Sequence, residues 1–453
     1  MKKYEEMKFS GLDWLGDIPS HWQVKRLKNI ARINPLKNIA DDADEMTTFL
    51  PMEKVSEKGE IDCSLKRPVK DLLAGFTYFE KNDIILAKIT PCFENGKGAY
   101  LDKLDTPFGF GSTEFHVIRT LEKLDSTFLY YVTTSNLFRD LGEASMTGSG
   151  GQKRVPTSFV ENFPLAYPPL PEQRGIAAYL DHKTAQLDTL LAQKEALLQQ
   201  LHRQRQALIN EAVTQGLNPA APRKPSGVAW LGDVPAHWEV KRLKYVAHIN
   251  PLKNIADDAD DTVTFLPMEK VGERGEIDCS QKRPVKELLA GFTYFEKNDV
   301  IVAKITPCFE NGKGAYLDKL DTDFGFGSTE FHVIRANESL NGAFSYYLTT
   351  SSVFRDAGEG SMTGSGGQKR VPTSFVENFP LAVPPLVEQQ AIVDFVEAKT
   401  GKINEATAAI HTQIQTLKAY RQALISEVVT GKVDVRPAAP APVAAGTQTQ
   451  LWG

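Results

Sequence analysis

Residues 172–214, EQRGIAAYLDHKTAQLDTLLAQKEALLQQLHRQRQALINEAVT, decide how this chain is organised. Apolar residues recur there in steps of four and three, and they recur again in residues 388–430. Such steps sustained over several heptads predict two coiled-coil helices. At about 1.5 Å per residue, each helix would span roughly 65 Å, which is too long for one ordinary globular domain. The predicted seam consists of Ile176, Leu180, Leu187, Leu190, Leu197, Leu201 and Leu208 in the first helix, and of Ile392, Val396, Ile403, Ile410, Leu417 and Leu424 in the second.

Proline and glycine mark the ends of both helices. Prolines precede each start, at 168–171 and 384–385, where a helix begins readily. Gly216 and Gly431 follow the ends, where a left-handed cap suits glycine. Each helix could pack on its own domain, or the two could pair with each other and hold two domains apart. The length of the helices favours the pair.

The chain is a tandem duplication. Position n matches position n + 216 without a gap from Ser10 and Ser226 to Thr214 and Thr430, and residues 33–119 agree with 249–335 at roughly nine positions in ten. Internal repeats of this kind define the units of a fold. We therefore predict a first domain at 1–171, a spacer helix at 172–215, a linker at 216–226, a second domain at 227–387, a second spacer helix at 388–431 and a disordered tail at 432–453.

Each globular copy shows β-type runs separated by turn residues. In the first copy these runs are 47–52, 84–89, 98–101, 114–118 and 163–167, and residues 128–138 have the pattern of a helix. The acidic stretch 41–45 is interpreted as a solvated turn. The predicted fold class is mixed α/β (α+β), with a mainly antiparallel or mixed sheet in each copy.

The duplication also has a geometric consequence. If the two seams pair, the second helix runs back along the first, so the helices are antiparallel and the globular copies are related by a pseudo-twofold axis. Duplex DNA has twofold axes too, so such a protein fits an interrupted, inverted-repeat site with nearly identical halves. A translational stacking of the copies would predict direct repeats instead.

Composition limits the classes of protein that are possible. A chain of 453 residues holds two or three domains, and it contains neither an apolar run long enough for a membrane span nor an N-terminal signal stretch. The spacing of Cys63, Cys92, Cys279 and Cys308 fits neither a redox pair nor a zinc site, so we expect reduced core thiols in a cytoplasmic protein. A formal net charge of −5 argues that any contact with DNA comes from local patches or from partners.

Two groups of polar and cationic residues on turns are candidates for DNA contact. Asn pairs well with adenine, whereas Lys binds guanine or phosphate, and a glycine-flanked loop can follow a nucleic-acid backbone. For each cation, an ordinary surface charge is the alternative. The candidates are Lys88, Thr90, Asn95 and Lys97 in the first group and Gln152, Lys153 and Arg154 in the second; the second copy repeats them as Lys304, Thr306, Asn311, Lys313, Gln368, Lys369 and Arg370.

No catalytic or metal-binding motif is evident. The segments YPPL at 167–170 and VPPL at 383–386 have the wrong end residues for the tetrapeptide with which an amino-methyltransferase holds a flipped base. A nuclease needs clustered carboxylates beside a lysine, but Asp83 and Lys88 lack a second acid. His116 and His332 have no ligand partners at metal spacing and are interpreted as strand residues.

Several motifs together resemble one known family. WLGDIP at 14–19 with His21 and Trp22, and PPLPEQ at 168–173, both recur one repeat later. The strand 83–88 followed by ITP, and GSTEF at 111–115, recur as well. In this order, and present twice, they resemble the specificity subunit of type I restriction–modification systems, over the whole chain except the tail.

The resemblance implies a division of labour. Two target recognition domains would each read half of a bipartite site in double-stranded DNA, and the paired helices would set the spacing and dock two methyltransferase subunits. S-adenosylmethionine, ATP and Mg²⁺ would be bound by the partner subunits, including the restriction subunits, and not by this chain, which would be non-catalytic. Members of the family usually have two dissimilar recognition domains, so near-identical copies favour a palindromic target. The alternatives are a stand-alone nucleic-acid-modifying enzyme and a coiled-coil scaffold that binds no DNA.

Overall fold

A computed structural model of the protein describes residues 2–37, 45–149, 151–252, 261–365 and 367–436. The chain divides into two compact units, Met1–Lys194 with Thr412–Gly453, and Glu195–His411. Each unit therefore contains one globular copy and one half of each long helix. The acidic stretch 41–45 lies outside the described residues, apart from Glu45.

The first globular copy begins with short strands and is followed by a long helix, which continues into the second unit. Its elements are β1 (Met7–Phe9), β2 (Asp17–Pro19), β3 (Gln23–Arg26), β4 (Ala31–Ile33), β5 (Met46–Leu50), β6 (Lys66–Pro68), β7 (Thr77–Glu80), β8 (Ile84–Ala87), β9 (Gly98–Tyr100), β10 (Phe108–Gly111), β11 (Phe115–Thr120), α1 (Ser126–Thr134), α2 (Asn136–Ala144), α3 (Thr157–Asn162), β12 (Pro164–Tyr167) and α4 (Leu170–Gln215).

Two four-stranded sheets form the centre of the first unit. One has the order β6-β5-β10-β7, in which β5 and β10 are parallel and the other pairs are antiparallel; the other has the order β4-β11-β8-β9 and is antiparallel throughout. The strand β8 reads Ile-Ile-Leu-Ala and is buried on both faces, which explains its unbroken apolar run. The predicted mixed α/β class with a mixed sheet is confirmed.

The second unit repeats this topology, with the sheet orders β16-β23-β20-β21 and β18-β17-β22-β19. Its elements are β13 (Arg223–Pro225), β14 (Asp233–Pro235), β15 (Glu239–Arg242), β16 (Ala247–Ile249), β17 (Thr262–Leu266), β18 (Lys282–Pro284), α5 (Val285–Leu288), β19 (Thr293–Glu296), β20 (Val300–Ala303), β21 (Gly314–Tyr316), β22 (Phe324–Gly327), β23 (Phe331–Ala336), α6 (Gly342–Thr350), α7 (Ser352–Gly360), α8 (Thr373–Asn378), β24 (Pro380–Val383) and α9 (Leu386–Val429).

The helix predicted at 128–138 is in fact two helices. Ser135 adopts an extended conformation between α1 and α2, and its hydroxyl accepts a hydrogen bond from the backbone N–H of Phe138. Serine is a strong N-cap residue because its side chain satisfies a free N–H of the first turn. The apolar pattern does not reveal this N-cap, so it predicted one continuous helix.

The long helices begin and end close to the predicted residues. α4 covers Leu170–Gln215 and α9 covers Leu386–Val429, and Gly216 and Gly431 both have φ near +73° just beyond them. At the start of α4, the Gln173 side chain is fully buried. Its Oε1 accepts a hydrogen bond from the backbone N–H of Asp125, and its Nε2 donates to the backbone oxygens of Pro168 and Lys123.

The two long helices run antiparallel in each unit. In the first unit, Ile176 and Leu180 share a core with Val428 and Leu424, so one residue number rises as the other falls. In the second unit, Ile209 and Val213 share a core with residues that include Ile392 and Val396. The predicted antiparallel pair is therefore present within each unit.

The seam of α4 differs from the prediction at two residues. Leu190 and Leu197 are 36% and 39% exposed, whereas the neighbouring residues Leu191 and Leu198 are half-buried. Ile176 and Leu180 are buried, and Leu187, Leu201 and Leu208 are half-buried. The buried stripe also carries Thr184 and Arg205, so a purely apolar pattern does not follow it. In α9, all six predicted seam residues are buried or half-buried.

The described residues after each long helix make specific contacts. Within the predicted linker, β13 pairs with β14, just as β1 pairs with β2. Within the predicted tail, Val433 is buried, Asp434 donates its backbone N–H to Lys2, and the Lys432 ammonium donates to the Leu15 backbone oxygen. Residues 437–453 lie outside the described part of the chain. Among the described helices, none combines the length and the apolar character that crossing a membrane requires.

Candidate nucleic-acid interface

The two predicted candidate groups meet through their backbones. The segment 88–90 leaves the end of β8, and 153–155 pairs with it: the Val155 N–H donates to the Lys88 oxygen at 2.8 Å, and the Thr90 N–H donates to the Lys153 oxygen at 3.0 Å. The Thr90 hydroxyl donates to the Gly151 oxygen and accepts from the Lys153 N–H. Residues that are 61 to 63 positions apart in sequence thus form one surface, here called the hairpin surface (88–90 with 147–154).

Residues 147–149 and 151–154 form the two sides of a tight hairpin. Thr147 and Arg154 exchange both backbone hydrogen bonds, at 3.0 and 2.8 Å. Gly148 has φ +134°, and a Cβ atom there would lie 2.6 Å from the Gln152 backbone oxygen, so the turn requires glycine. Gln152 and Lys153 are exposed at the tip. The Gly150 position lies outside the described residues.

An ion pair holds the base of the hairpin in place. The Arg154 guanidinium donates from Nε and Nη2 to both carboxylate oxygens of Glu114, at 2.7–3.1 Å. This bidentate contact lowers the pKa of Glu114 below its usual value and raises the pKa of Arg154. Arg154 therefore positions the hairpin and is not a free cation, which its sequence position alone could not reveal.

A buried histidine joins the same base. The His116 Nε2 lies 2.9 Å from the Val155 backbone oxygen, an arrangement in which the ring N–H donates. Its Nδ1 lies 3.4 Å from the Asn34 side-chain amide, whose oxygen accepts from the Val117 N–H. Burial lowers the pKa of His116, which favours the neutral ring. The interpretation of His116 as a strand residue agrees with its place in β11.

Three side chains of the hairpin surface remain available to a ligand. Gln152 and Lys153 are exposed and Lys88 is half-buried, and no salt bridge joins either lysine to a carboxylate among the described residues. Thr113 of the β10–β11 turn is also exposed, and its neighbour Glu114 accepts from the Lys88 N–H and from Arg154; the sequence did not single Thr113 out as a candidate. Together they offer amide, hydroxyl and ammonium groups, the types that bind base edges and phosphates.

Asn95 and Lys97 belong to a different part of the domain. They lie on the turn 91–97, which returns to β9 through a hydrogen bond from the Lys97 N–H to the Cys92 oxygen. At Gly96 a Cβ atom would lie 2.8 Å from the Arg139 guanidinium of α2, so this turn packs toward the helices. The four residues of the first candidate group are therefore split between two faces.

The second copy builds the same surface with the same residues. The Val371 N–H donates to the Lys304 oxygen, and the Thr306 hydroxyl donates to the Gly367 oxygen and accepts from the Lys369 N–H. Arg370 pairs with Glu330 at 2.8–3.1 Å. Gln368 and Lys369 are exposed at the tip, whereas the Lys313 ammonium donates to the Met268 backbone oxygen and Asn311 lines a cavity beside the long helices.

The carboxylate considered for nuclease chemistry has a structural partner. Asp83 is 1% exposed, and Arg119 donates to both of its oxygens at 2.8 Å. The third guanidinium nitrogen of Arg119 donates to Glu80. Asp299 and Arg335 repeat the pair. In the part of the chain that the structure describes, no three His, Cys, Asp or Glu residues cluster as a metal site would require.

Comparison with known proteins agrees with the doubled architecture. The family described as Type I restriction modification DNA specificity domain matches residues 19–200 and 235–416. The type I restriction enzyme EcoAI specificity subunit of Escherichia coli is 42% identical over 163 residues, 35% of this chain and 27% of that protein. The chain thus spans about a quarter of the length of that relative.

Two further proteins are similar over nearly their whole length. The type I restriction enzyme MjaVIII specificity subunit of Methanocaldococcus jannaschii is 22% identical over 96% of this chain and 98% of that protein. A chain solved in a study of complex assembly and conformational transition of the type I R-M system superposes with a TM-score of 0.69, at 16% identity, over 92% of this chain and 99% of that chain. The structural likeness establishes the shared fold.

Proposed function

The chain belongs to the family described as Type I restriction modification DNA specificity domain, and from this premise we propose that it is the DNA-reading, non-catalytic subunit of a type I restriction–modification complex. In this proposal each globular copy reads one half of a bipartite, interrupted site in double-stranded DNA. The long helices set the separation of the halves and dock adenine methyltransferase subunits. Restriction subunits join through those partners.

The observation that carries the proposal is the hairpin surface, present twice. Backbone hydrogen bonds, a bidentate ion pair and a buried histidine fix its base, while Gln152 and Lys153 stay exposed at its tip. A surface that is ordered before it meets DNA loses little entropy on binding. Lysine supplies sequence-independent phosphate contact, and glutamine can pair with a base edge.

The near-identity of the two copies supports a palindromic target. Lys88, Thr90, Gln152 and Lys153 recur as Lys304, Thr306, Gln368 and Lys369, held by the same hydrogen bonds. Identical reading groups select identical half-sites, and the predicted twofold arrangement would place them as an inverted repeat. A direct repeat would mean that the arrangement is translational.

The chemistry is assigned to the partners. Two methyltransferase subunits would bring S-adenosylmethionine, and motor–nuclease subunits would bring ATP and Mg²⁺. In this proposal the chain acts with its DNA in the cytoplasm and binds no cofactor of its own. The overall net charge of −5 fits a reading subunit that relies on partner subunits for part of its positive surface.

A genome-wide map of methylated adenines tests the proposal. The chain and its cognate methyltransferase subunit are expressed in a host without DNA methylation, and a single interrupted palindrome is the expected result. The chain with Gln152→Ala and Gln368→Ala is mapped in parallel. Methylation should persist, but the sequence requirement should relax at one position in each half-site. An asymmetric motif would refute the palindrome. Absence of any motif from a soluble complex would favour the scaffold, and methylation by the chain alone would favour the enzyme.

A further inference from the structure

A cationic cavity lies inside the second unit, where α7 faces the long helices. Its volume is about 80 Å³, and its wall includes Arg205 and His202 of α4, Asn404 of α9 and Arg355 of α7. Arg274, from the loop after β17, completes the group of cations. A cavity needs only about 10–15 Å³ for one water molecule, so this one has room for a small polyatomic ion.

Two of the three guanidiniums of this cavity, those of Arg205 and Arg355, lack the partners that buried charges need, whereas Arg274 is exposed. Arg205 is only 8% exposed, its Nε has no hydrogen-bond partner, and no carboxylate forms an ion pair with it among the described residues. The Arg355 Nε is also buried without a partner, and its Nη1 makes one long contact, 3.4 Å to the Glu310 backbone oxygen. A buried cation without a compensating anion is costly, so both groups favour a bound negative charge.

The first unit shows how the same site is neutralised. The residue equivalent to Arg205 is Arg421, which binds both carboxylate oxygens of Asp188 at 3.0 and 3.4 Å. The residue equivalent to Arg355 is Arg139, whose Nε is likewise buried without a partner but whose Nη2 donates to the Asn136 side-chain oxygen at 2.6 Å. Both acceptors come from within the first unit.

The second copy has lost both acceptors. Asp188 is replaced by Asn404, which carries no charge. Asn136 is replaced by Ser352, whose hydroxyl accepts instead from the Asn210 amide at 2.6 Å. The second cavity therefore lacks one carboxylate and one amide oxygen that the first one has. Arg205 and Arg355 match Arg421 and Arg139, whereas Arg274 stands in place of Lys58 and His202 in place of Lys418.

The remaining charges around the second cavity keep it cationic. Glu273 is the one carboxylate among the lining residues, and it is exposed, against three arginines. Burial lowers the pKa of His202, and the neighbouring arginines lower it further. Burial also lowers the pKa of Arg355, with Arg205 adding repulsion. An anion between these groups would offset both the desolvation of the buried guanidiniums and their mutual repulsion.

We propose that this cavity is a binding site for a small tetrahedral oxyanion of the phosphate or sulfate type. Guanidinium groups present paired N–H donors that match the oxygens of such an ion. Asn404 and Gln206 each have a buried side-chain oxygen without a partner, and a rotated amide would turn its NH₂ toward the ion. The bound ion would join α4, α7 and α9 within this unit. Oxyanion binding here does not depend on the function proposed above.

The test is calorimetric titration of the full-length chain with inorganic phosphate at constant ionic strength. One phosphate per chain is expected. Asn404→Asp should weaken binding about 10- to 100-fold, the loss expected for one charge-assisted hydrogen bond, because the new carboxylate would pair with Arg205. Absence of binding by the wild-type chain up to about 10 mM phosphate, or unchanged binding by Asn404→Asp, would overturn the proposal.

A converse variant keeps the proposal testable if Asn404→Asp does not fold. Asp188→Asn with Asn136→Ser removes the same two acceptors from the first cavity, and two phosphates per chain should then bind. If only one binds, the charge argument fails. A non-specific DNA duplex is added in competition: displacement of phosphate identifies the ion as a DNA backbone phosphate, and no displacement identifies a free oxyanion. The methylation map remains interpretable in either case, since it reports sequence reading.

Discussion

Replacing Gln173 by leucine should loosen the joint between the first globular copy and its spacer helix. Gln173 is fully buried at the start of α4, where it accepts from the Asp125 N–H at 2.8 Å and donates to the Pro168 oxygen at 2.8 Å and the Lys123 oxygen at 3.2 Å. Asp125 is the N-cap of α1, so this one side chain ties two helix starts together. Leucine has a similar size but no polar group.

The magnitude follows from the groups left without partners. The Lys123 oxygen keeps a hydrogen bond from the Tyr167 hydroxyl at 2.6 Å, so the main losses are the Asp125 N–H and the Pro168 oxygen. Each unsatisfied buried group costs about 1–3 kcal/mol, and buried leucine returns part of this, which gives about 2–4 kcal/mol. A domain with about 5–15 kcal/mol of stability should remain folded but open more often at this joint.

Hydrogen exchange followed by mass spectrometry measures this opening. Amides of α1 should exchange about 30- to 900-fold faster in Gln173→Leu, since each 1.4 kcal/mol is a factor of ten. Gln389→Leu should do the same to α6, because Gln389 makes the equivalent bonds to Asn341, Pro384 and Ser339. Gln193→Leu, the same substitution at an exposed residue of α4, is the control. Less than about fivefold acceleration in α1, or equal acceleration in both units, would refute the reasoning.

Three further predictions concern the hairpin surface and the helices. Lys153→Ala should weaken binding to all duplexes alike and lower the slope of log affinity against log salt by about 1, whereas Lys8→Ala should not; titrations at several salt concentrations check this. Arg154 depresses the pKa of Glu114, so the stability that this ion pair contributes should be complete above pH 4.5, the usual pKa of a glutamate. It should be lost as the pH falls through the lowered pKa. Urea unfolding from about pH 6 to 3 should show this loss in the wild type and not in Glu114→Gln. A fragment ending at Gly216 should dimerise through α4, because it lacks the apolar residues of α9, and a monomer at high micromolar concentration in analytical ultracentrifugation would contradict this.

The sequence predicted the features that depend on periodicity and on repetition. The helix bounds followed from Pro and Gly, whose backbone preferences act locally. The duplication predicted two equal units, and the apolar runs predicted strands such as β8. These signals are local or are visible by matching the chain with itself, so they need no knowledge of the packing.

What the packing decided is which polar groups are free. Arg154 and Lys153 are neighbours of similar chemistry, yet one is held by Glu114, 40 residues away, and the other is exposed. Thr90 joined the hairpin through a hydrogen bond across 61 residues, while Asn95 lies on a separate turn, whose Gly96 packs against Arg139 of α2. Leu190 and Leu197 had the right spacing but lie on the exposed face, because the buried stripe runs through Leu191 and Leu198, between the buried Thr184 and Arg205. Burial and pairing are set by contacts between distant residues, so the sequence determined the architecture and the tertiary structure determined which side chains can meet a ligand.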